Sequence, residues 1–357
     1  MKVLILGGTG AMGTHLVDQL AKRGVDVSVT SRSSRVNHGA VKFINGNAKE
    51  PAFLNGLLAE QWDAIVDFMV YSTAEFESRI NSLLTACGQY IYLSSARVYA
   101  ESTAPLTEGS PRLLDISKDR QYLITDEYAL TKARQENILF RSQYKNWTII
   151  RPYITYSSNR LQLGVLEKED WLYRVLHGRT IAALADIQQK TTTLTHGEDV
   201  ALGIAALIGN SRAHAESFHI TAPQSVLWSQ VLDNYLDVLE KHMGKKPKVS
   251  LQPLDEFTRW RKGRYQIVYD RLYHREFDNK KINQFIDTAG FVSPLLGLKD
   301  CLETFLQNTP YAFGDINWRA EAIKDLRLRE NSSLSEIPGS KNKLKYIIFR
   351  HLGLGQA

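Results

Sequence analysis

A glycine-rich turn directly after the first apolar segment constrains the fold of this chain more than any other feature. Residues 2–6 (KVLIL) are apolar enough to form a buried strand, and three glycines follow at GxxGxxG spacing: Gly7, Gly10 and Gly13. An amphipathic stretch (14–23) and a second apolar run (25–30) come next. A strand, a glycine turn, a helix and a second strand within about 30 residues predict a βαβ unit with parallel strands.

Glycines at this place in a βαβ unit create a binding site for a phosphate group. Because they carry no side chain, the turn is tight and backbone N–H groups can approach a pyrophosphate, while the helix N-terminus adds partial positive charge. The turn therefore predicts a dinucleotide cofactor, bound by these residues: Gly7, Thr9, Gly10, Ala11, Met12 and Gly13.

The residue that ends the second strand of such a unit selects between the two nicotinamide cofactors. An acidic residue there would bind the ribose 2′-hydroxyl of NAD(H) and repel a 2′-phosphate. Here Ser31 and Arg32 follow the apolar run, Arg35 is close behind, and no carboxylate stands among them. A planar guanidinium group suits a phosphate, so the sequence favours NADP(H). NAD(H) is the alternative, with Arg32 as a solvated loop residue.

Apolar runs and helical segments continue to alternate through the first half of the chain. Further strands are predicted at 41–44, 64–70, 90–93, 148–150 and 217–220. This alternation predicts an α/β fold of the Rossmann type, a doubly wound parallel sheet covered by helices on both faces. With 43% hydrophobic residues among 357, the chain has ample material for a large core.

The rhythm becomes irregular after Pro152, which indicates a second domain. We predict two domains and an extension: a dinucleotide-binding domain (1–155 with 196–222), a smaller mixed α/β substrate domain (156–195 with 223–310) and a C-terminal extension (311–357). Within the extension, residues 331–340 have the Ser, Pro and Gly content of a linker, and a basic, apolar tail follows them.

The charge and the cysteine content exclude several classes of protein. The formal net charge is +6, but four cations lie in a final segment without Asp or Glu, so the body is close to neutral. Basicity alone thus gives no reason to expect a nucleic-acid partner. The tail has the composition of a helix that contacts an acidic membrane surface or a partner, or that packs on the body of the protein itself. Two cysteines exclude a disulfide framework, and no apolar run reaches the roughly 20 residues of a membrane span. We expect a cytoplasmic protein without a metal site.

One helical segment carries a tyrosine and a lysine four residues apart, Tyr128 and Lys132, which places both on one face. A phenol is a poor base at neutral pH, but a neighbouring ammonium and a nicotinamide cation favour the phenolate. Ser95 follows a predicted strand, at the carboxyl edge of the sheet where ligands bind. Its hydroxyl can bond the reacting oxygen while a proton and a hydride leave the same carbinol carbon. We therefore assign catalysis to Ser95, Tyr128 and Lys132.

Together these elements resemble the extended short-chain dehydrogenases/reductases of the NAD-dependent epimerase/dehydratase family. The glycine turn, the serine strand end (94–99, SSARVY) and the YxxxK pair match the family in order. Later segments also resemble family patterns: RPYITY (151–156), THGEDVA (195–201), FDNKK (277–281) and GFVSP (290–294). The resemblance spans residues 1–310.

The resemblance implies a set of roles and partners. Nucleotide sugars are the implied substrate class, with Tyr128 as acid and base, Lys132 holding the cofactor ribose and Ser95 positioning the hydroxyl or ketone. Asn47 and Tyr153 fall at further cofactor-binding positions, although the family often has Asp where Asn47 stands. A homodimer is implied as well.

Two departures from the family pattern narrow the chemistry. Family dehydratases carry an Asp-Glu pair directly after the serine or threonine, where this chain has Ala96 and Arg97, so 4,6-dehydration is not expected. We place Arg97 with Ser95 and Tyr128 among the substrate-binding residues. The loop before His196 lacks the arginine common in sugar epimerases, and a later cationic segment supplies candidates for the pyrophosphate instead: Arg259, Arg261 and Arg264.

The hypothesis that follows is an NAD(P)-dependent nucleotide-sugar epimerase. A hydride would leave C4 of the sugar, the 4-keto ring would rotate, and the hydride would return to the other face. Two alternatives stay open. An NADPH-dependent ketoreductase or dehydrogenase would need added cofactor, and a non-catalytic, RNA-interacting member of the same fold would bind RNA in a salt-dependent way.

Overall fold

The computed structural model describes residues 1–351 and divides the chain into two compact units. The first unit consists of Met1–Thr155, Thr193–Ser225 and Arg275–Pro294. The second unit consists of Tyr156–Thr192, Val226–His274 and the chain from Leu295 onward.

The strands and helices of the described chain have the following bounds. The strands are β1 (Lys2–Leu6), β2 (Asp26–Ser31), β3 (Val41–Asn45), β4 (Trp62–Asp67), β5 (Cys87–Leu93), β6 (Trp147–Pro152), β7 (Thr155–Tyr156), β8 (Ile181–Leu184), β9 (Thr191–Thr192), β10 (Thr195–His196), β11 (Glu216–Ile220), β12 (Val226–Leu227) and β13 (Val249–Gln252). The helices are α1 (Gly13–Lys22), α2 (Pro51–Leu58), α3 (Thr73–Thr85), α4 (Leu113–Ile116), α5 (Arg120–Leu123), α6 (Tyr128–Arg141), α7 (Lys168–Leu176), α8 (Gly197–Leu207), α9 (Trp228–Met243), α10 (Leu254–Phe257), α11 (Arg264–Gln266), α12 (Pro294–Gln307), α13 (Trp318–Leu328) and α14 (Ser340–His351).

A seven-stranded sheet forms the centre of the first unit, with the order β11-β6-β5-β4-β1-β2-β3. All neighbouring strands in it are parallel. β1 lies between β2 and β4, so the strand order reverses at this point, and Leu6 stands opposite Asp67 where β1 and β4 end. Because ligands bind at the carboxyl edge beside such a reversal, the sheet topology sets the position of the site.

The sheet is buried on both faces, which accounts for its almost continuous apolar strands. On β1, Val3 and Ile5 pack into a cluster with residues of α1 and α8. Leu4 and Leu6 point to the opposite face and pack with residues of α3. The predicted Rossmann-type, doubly wound α/β fold is therefore confirmed.

The strand bounds differ from the prediction mainly at β4, which ends at Asp67 instead of Val70. Phe68, Met69 and Val70 continue the apolar run but leave the sheet. They are only partly buried or exposed, and they line a cleft at the carboxyl edge. The first part of this apolar run thus forms a strand, and its last three residues line the cleft.

Residues 275–294 belong to the first unit, although the sequence pattern predicts them in the substrate domain. The buried Arg275 guanidinium donates to the carbonyl oxygens of Tyr99 and Ala100 at 2.9 and 3.0 Å. The Asn279 amide donates to the Thr221 carbonyl at 2.7 Å. These bonds join segments that are distant in sequence, which is why local patterns did not predict them.

The second unit is a mixed α/β structure that includes the C-terminal extension. β8 pairs with β13 in parallel, and β9 pairs with β12 in antiparallel orientation. Arg174 of α7 is fully buried and pairs with Glu321 and Asp325 of α13 at 2.6 and 2.9 Å. A buried cation needs such partners, so α13 is an integral part of this unit and not an appendage.

The stretch predicted as a linker is a packed loop. Ser332 and Ile337 are buried, and the Ser332 hydroxyl donates to Asp325 at 2.7 Å. The Tyr346 hydroxyl of α14 donates to the same carboxylate at 2.6 Å. The basic tail therefore begins as a helix packed on its own unit, while residues 352–357 of the predicted extension lie outside the described chain. Within residues 1–351, no helix has both the length and the apolar character that crossing a membrane requires.

Candidate active site

The glycine turn connects β1 to α1 at the carboxyl edge of the sheet. Gly13 packs directly on Gly8, since a Cβ at Gly13 would stand 2.6 Å from the Gly8 carbonyl carbon. Gly10 differs, because no heavy atom of a more distant described residue lies within 4 Å of the place that its Cβ would take. One glycine permits close packing of the helix, and the other leaves the backbone open to a ligand.

The N-terminus of α1 is suited to a phosphate group. In the described chain, this helix has neither a side-chain cap at Met12 nor an acidic residue in its first turn. The Thr14 and Leu16 N–H groups donate to the Gly10 and Met12 carbonyls, and the partial positive charge of the helix N-terminus favours an anion. The open backbone at Gly10 and this helix end fit the pyrophosphate of a dinucleotide.

A cleft of about 420 Å³ continues from the turn along the ends of β1, β2, β3 and β4. It brings together five of the residues predicted for the cofactor: Gly7, Thr9, Ser31, Arg32 and Asn47. Arg35 lies outside its walls, with its guanidinium carbon 5.8 Å from the centroid of the Phe43 ring. The Asn47 amide donates to Glu50 at 3.2 Å and accepts the Lys49 N–H at 3.1 Å. The structure thus brings Arg32, and not Arg35, to the cleft.

Sequence reasoning missed Lys49 and the segment Phe68–Val70, which also line the cleft. They follow the carboxyl ends of β3 and β4, the strands next to β2 and β1. The strand order was the signal that would have found them, because it places these loops beside the glycine turn.

Ser95 follows β5 and is buried at the carboxyl edge of the sheet. Its Oγ accepts the Arg97 N–H at 3.2 Å, at the start of a short 3₁₀ turn that packs against α6. The neighbouring Ser94 hydroxyl donates to the buried Glu136 carboxylate at 2.6 Å. The two serines therefore differ in role, with Ser94 tied into the core and Ser95 placed on the turn beside α6.

Tyr128 is the first residue of α6, and Lys132 lies one turn later. The Glu127 carboxylate caps the helix by accepting the Ala129 N–H at 2.7 Å, which fixes where α6 begins. The Lys132 Nζ lies 5.9 Å from the centroid of the Tyr128 ring. Tyr128 is 36% exposed and Lys132 only 2%. The structure thus pairs an accessible phenol with a buried ammonium.

Burial dominates the electrostatics of Lys132. Its Nζ donates to the Leu93 carbonyl at 2.6 Å and lies 4.6 Å from the centroid of the Tyr92 ring. Removal from water lowers the pKa of the Lys132 ammonium to about 8, and the charges of Asp67 and Glu136 oppose this effect. Lys132 therefore carries its positive charge at neutral pH and would lose its proton about one pH unit higher.

Arg97 adds a second cation beside Tyr128. Its guanidinium carbon lies 5.3 Å from the centroid of the Tyr128 ring. The same guanidinium forms an ion pair with Glu127. A positive charge over an aromatic face is attracted to it, so Arg97 and Lys132 place two cations near the Tyr128 ring, while Glu127 offsets part of the Arg97 charge.

A buried ion cluster holds α6 on the sheet. The Glu136 carboxylate accepts two bonds of 2.8 Å from Arg151 of β6 and one of 3.0 Å from Arg112. The carboxylate raises the pKa of the Arg151 guanidinium, which stays charged although burial opposes it. Arg151 belonged to a motif that the sequence analysis identified, but its partner Glu136 is visible only in three dimensions.

The remaining predicted site residues are Tyr153 and three arginines. Tyr153 is buried beyond the end of β6, with its ring 5.4 Å from that of Phe277. The three arginines predicted for the pyrophosphate belong to the second unit. Arg261 donates to the Val165 carbonyl at 2.7 Å, Arg264 lies 3.6 Å from Asp255, and Arg259 is exposed. Arg261 is thus engaged by the backbone of its own unit.

Known proteins resemble the chain in sequence over limited lengths. One relative is the chloroplast stem-loop binding protein of 41 kDa b of Arabidopsis thaliana, 27% identical over 247 residues, which are 63% of this chain and 60% of that protein. A UDP-glucose 4-epimerase of Lactobacillus helveticus is 27% identical over 153 residues, 39% of this chain and 46% of the enzyme. The chain therefore spans three fifths or less of the length of these relatives.

Solved structures resemble the fold over most of the chain. An epimerase from Methanothermobacter thermautotrophicus has a TM-score of 0.67 at 18% identity and covers 86% of this chain and 92% of its own. A UDP-glucuronic acid 4-epimerase from Bacillus cereus, solved with UDP-glucuronic acid and NAD, has a TM-score of 0.62 at 17% identity, with coverage of 85% and 99%. At these identities the likeness shows the shared fold.

The profile described as NAD dependent epimerase/dehydratase family matches residues 3–221, more than half of the chain. The matched range contains the glycine turn and all three residues predicted to be catalytic. Family, fold and motif order agree, which confirms the resemblance drawn from the sequence. The chain belongs to the NAD-dependent epimerase/dehydratase family.

Proposed function

We propose that the protein is a nucleotide-sugar epimerase that acts at C4 of the sugar through a 4-keto intermediate. The observation that carries this proposal is the meeting of Tyr128, Lys132 and the Ser95 turn at the carboxyl edge that also holds the dinucleotide cleft. The relatives named as UDP-glucose 4-epimerases support a nucleotide sugar as the substrate class.

Each of the three residues has a role in this chemistry. Tyr128, as the phenolate, takes the proton of the C4 hydroxyl and later returns it. The positive charge of the buried Lys132 ammonium stabilises the Tyr128 phenolate at neutral pH. Ser95 hydrogen-bonds the C4 oxygen and holds it in line. A nicotinamide cofactor in the cleft supplies the acceptor for the hydride from C4.

The cofactor subtype is a separate part of the proposal. The family is NAD-dependent, several of the structures that share the fold were solved with NAD, and the comparisons give no support to NADP(H) over NAD(H). Two cations, Arg32 and Lys49, nevertheless line the cleft. We retain Arg32 as the residue that decides between the cofactors, and the affinity ratio of NADPH to NADH tests it.

The reaction itself is tested with a substrate that carries deuterium at C4. UDP-glucose, UDP-galactose and UDP-glucuronic acid so labelled are incubated with the purified protein and followed by NMR. An epimerase interconverts the C4 epimers and keeps the deuterium on the sugar without consuming added cofactor. Loss of the deuterium to added cofactor, with net oxidation or reduction, would replace this proposal by the ketoreductase or dehydrogenase alternative. The Tyr128→Phe variant serves as the inactive control.

A second candidate function is RNA binding, which the name of the stem-loop binding relative favours. The exposed Lys341 and Lys345 of α14 are the residues to test. Deleting the tail is a poor experiment, because Tyr346 of the same helix is buried. A double Lys→Gln variant should weaken RNA binding and flatten its salt dependence if this candidate is right. Unchanged RNA affinity in the folded variant would exclude the role of this helix.

The homodimer and the cytoplasmic location remain predictions. Light scattering of the purified chain and fractionation of cells that produce it are the corresponding measurements. Neither bears on the chemistry proposed for Tyr128.

A further inference from the structure

Asp67 is a fully buried acidic residue at the carboxyl end of β4, one that the chemistry above does not use. Its carboxylate accepts hydrogen bonds from three donors, the Met69 N–H at 2.9 Å and the hydroxyls of Tyr90 and Tyr71 at 2.9 and 3.1 Å. Each of these groups donates to the oxygens and so favours the charged form. A carboxylate taken out of water needs such donors and also a counter-charge.

The sheet register places Asp67 beside the lysine of the catalytic pair. Asp67 stands opposite Tyr92 of β5, so the two side chains point to the same face of the sheet. The ring of Tyr92 lies against the Lys132 Nζ, and the carbonyl of the next residue, Leu93, accepts a hydrogen bond from that ammonium. Gln135 of α6 packs the same core together, since it accepts from the Tyr92 hydroxyl and donates to the Tyr71 carbonyl.

Glu136 and Lys49 are in ion pairs, and Arg79 is only half-buried. Glu136, one turn after Lys132, is bonded to Arg112 and Arg151. On the opposite side, Arg79 of α3 stacks on the Tyr71 ring and donates to the Glu75 carbonyl, and Lys49 lies 3.7 Å from Glu75. Among the described residues, Asp67 has no cation within ion-pair distance. Asp67 and Lys132 are thus the two buried charges of this core that balance each other across the strand.

We propose that Asp67 is a positioning residue of the active site, whose buried carboxylate keeps Lys132 in the ammonium form. The inference rests on the proposed function only for the use made of Lys132, since the charge coupling exists whatever the substrate is. Burial raises the pKa of the Asp67 carboxyl, and the Lys132 charge is among the influences that lower it. The coupling is therefore reciprocal, as expected for two charges in a medium of low dielectric constant.

The test measures the titration of Lys132 directly. Protein labelled with [ε-¹³C]lysine is titrated by NMR, and the Lys132 signal is assigned as the one missing from Lys132→Met. In Asp67→Asn, which keeps the size and the acceptor oxygen, the midpoint of Lys132 should fall by at least about one pH unit. Asp63→Asn, on the same strand at its other end, is the matched control and should leave the midpoint unchanged.

A second variant protects the test against misfolding. Asp67→Ser also removes the charge but keeps a hydroxyl that can bond the Tyr71 and Tyr90 hydroxyls, so it should lower the Lys132 midpoint as Asp67→Asn does. A Lys132 midpoint at the wild-type pH in whichever of the two variants folds would overturn the proposal. An equal shift in Asp63→Asn would overturn it too, because the effect would then not be specific to Asp67.

An activity measurement separates this inference from the proposed function. If nucleotide sugars are turned over, the alkaline limb of the pH–rate profile should move to lower pH in Asp67→Asn, because Lys132 loses its proton earlier. A simple loss of stability would lower the rate at all pH values without moving that limb. If no sugar is turned over by the wild type while the Lys132 midpoint still shifts, the function fails and the role of Asp67 stands.

Discussion

Arg97 and Glu127 form an ion pair at the start of α6, which places the Arg97 guanidinium carbon 5.3 Å from the centroid of the Tyr128 ring. Glu127 is also the helix cap. The cation beside Tyr128 and the point where α6 begins are therefore set by one carboxylate.

Replacing Arg97 tests its effect on the phenol. In Arg97→Gln, loss of the cation disfavours the Tyr128 phenolate, so the acid limb of the pH–rate profile should move to higher pH, with a loss of about tenfold in kcat/KM at neutral pH. Arg97→Lys keeps the charge and should recover part of the loss. An acid limb at the wild-type pH in Arg97→Gln would show that Arg97 acts on the substrate or the fold alone.

Removal of the Tyr128 hydroxyl should abolish catalysis and spare cofactor binding. Tyr128→Phe loses the group that exchanges the proton, so the rate should fall by at least about 100-fold, the scale of general acid–base catalysis. Calorimetry with NAD(H) should give an affinity close to that of the wild type. Tyr144→Phe, after the end of the same helix, is the control. Near-normal turnover in Tyr128→Phe would contradict the assignment.

The cofactor preference depends on Arg32 because this side chain lines the cleft. If NADPH binds more tightly than NADH, Arg32→Ala should reduce the NADPH affinity by about tenfold, the loss of one charge-assisted phosphate contact, and leave NADH unchanged. Arg35→Ala should change neither affinity, because Arg35 lies against Phe43 outside the cleft. Equal affinities for both cofactors in the wild type would leave Arg32 as a solvated residue.

Two glycine variants separate folding from cofactor binding. In Gly13→Ala the new Cβ meets the Gly8 backbone, so thermal unfolding should reveal a destabilisation of about 1–3 kcal/mol, the usual range for overpacking. In Gly10→Ala the methyl group enters open space, so the melting temperature should stay at the wild-type value. The cofactor affinity should fall, because the methyl group stands where the phosphate approaches the backbone. Tight cofactor binding by a folded Gly10→Ala would mean that the phosphate does not approach there.

The stability of the first unit should depend on the protonation of Asp199. Burial raises the pKa of this carboxyl to about 6, while its side chain accepts the Val292 N–H at 3.0 Å. Burial of the charged carboxylate lowers the free energy of unfolding by its full amount above pH 6. This destabilisation decreases as the pH falls towards 4 and is absent at lower pH. Asp199→Asn should therefore raise the melting temperature more at pH 7.5 than at pH 4.5. The exposed Asp18→Asn is the control, and a difference independent of pH would contradict the shift.

The sequence pattern predicted those parts of the structure that depend on interactions between residues close together in the chain. The apolar run 2–6 and the glycines after it form the strand and turn that were expected, because strand formation and tight turns depend on neighbouring residues. The pairing of Glu136 with Arg151 was not predictable, since it depends on which strand α6 covers. The same is true of Asp67, whose partners come from β5 and from the loop before α3.

Residues 331–340 show that composition can predict a loop without predicting how the loop packs. Their composition correctly indicated a loop, but Ser332 is held by an aspartate of α13 and by the tyrosine hydroxyl of α14. A sequence pattern reports backbone preference, whereas the packing of a loop is decided by distant side chains.

The ion pairs of Arg174 have a consequence for the synthesis of the chain. Arg174 emerges from the ribosome 147 residues before Glu321, which pairs with it. Until α13 has been translated, this cation has no carboxylate from that helix, and leaving it buried alone would cost several kcal/mol. The second unit should therefore complete its folding late during translation, and α7 should stay exposed to solvent until then. In a nascent chain stalled before residue 321, proteases should cleave around Arg174.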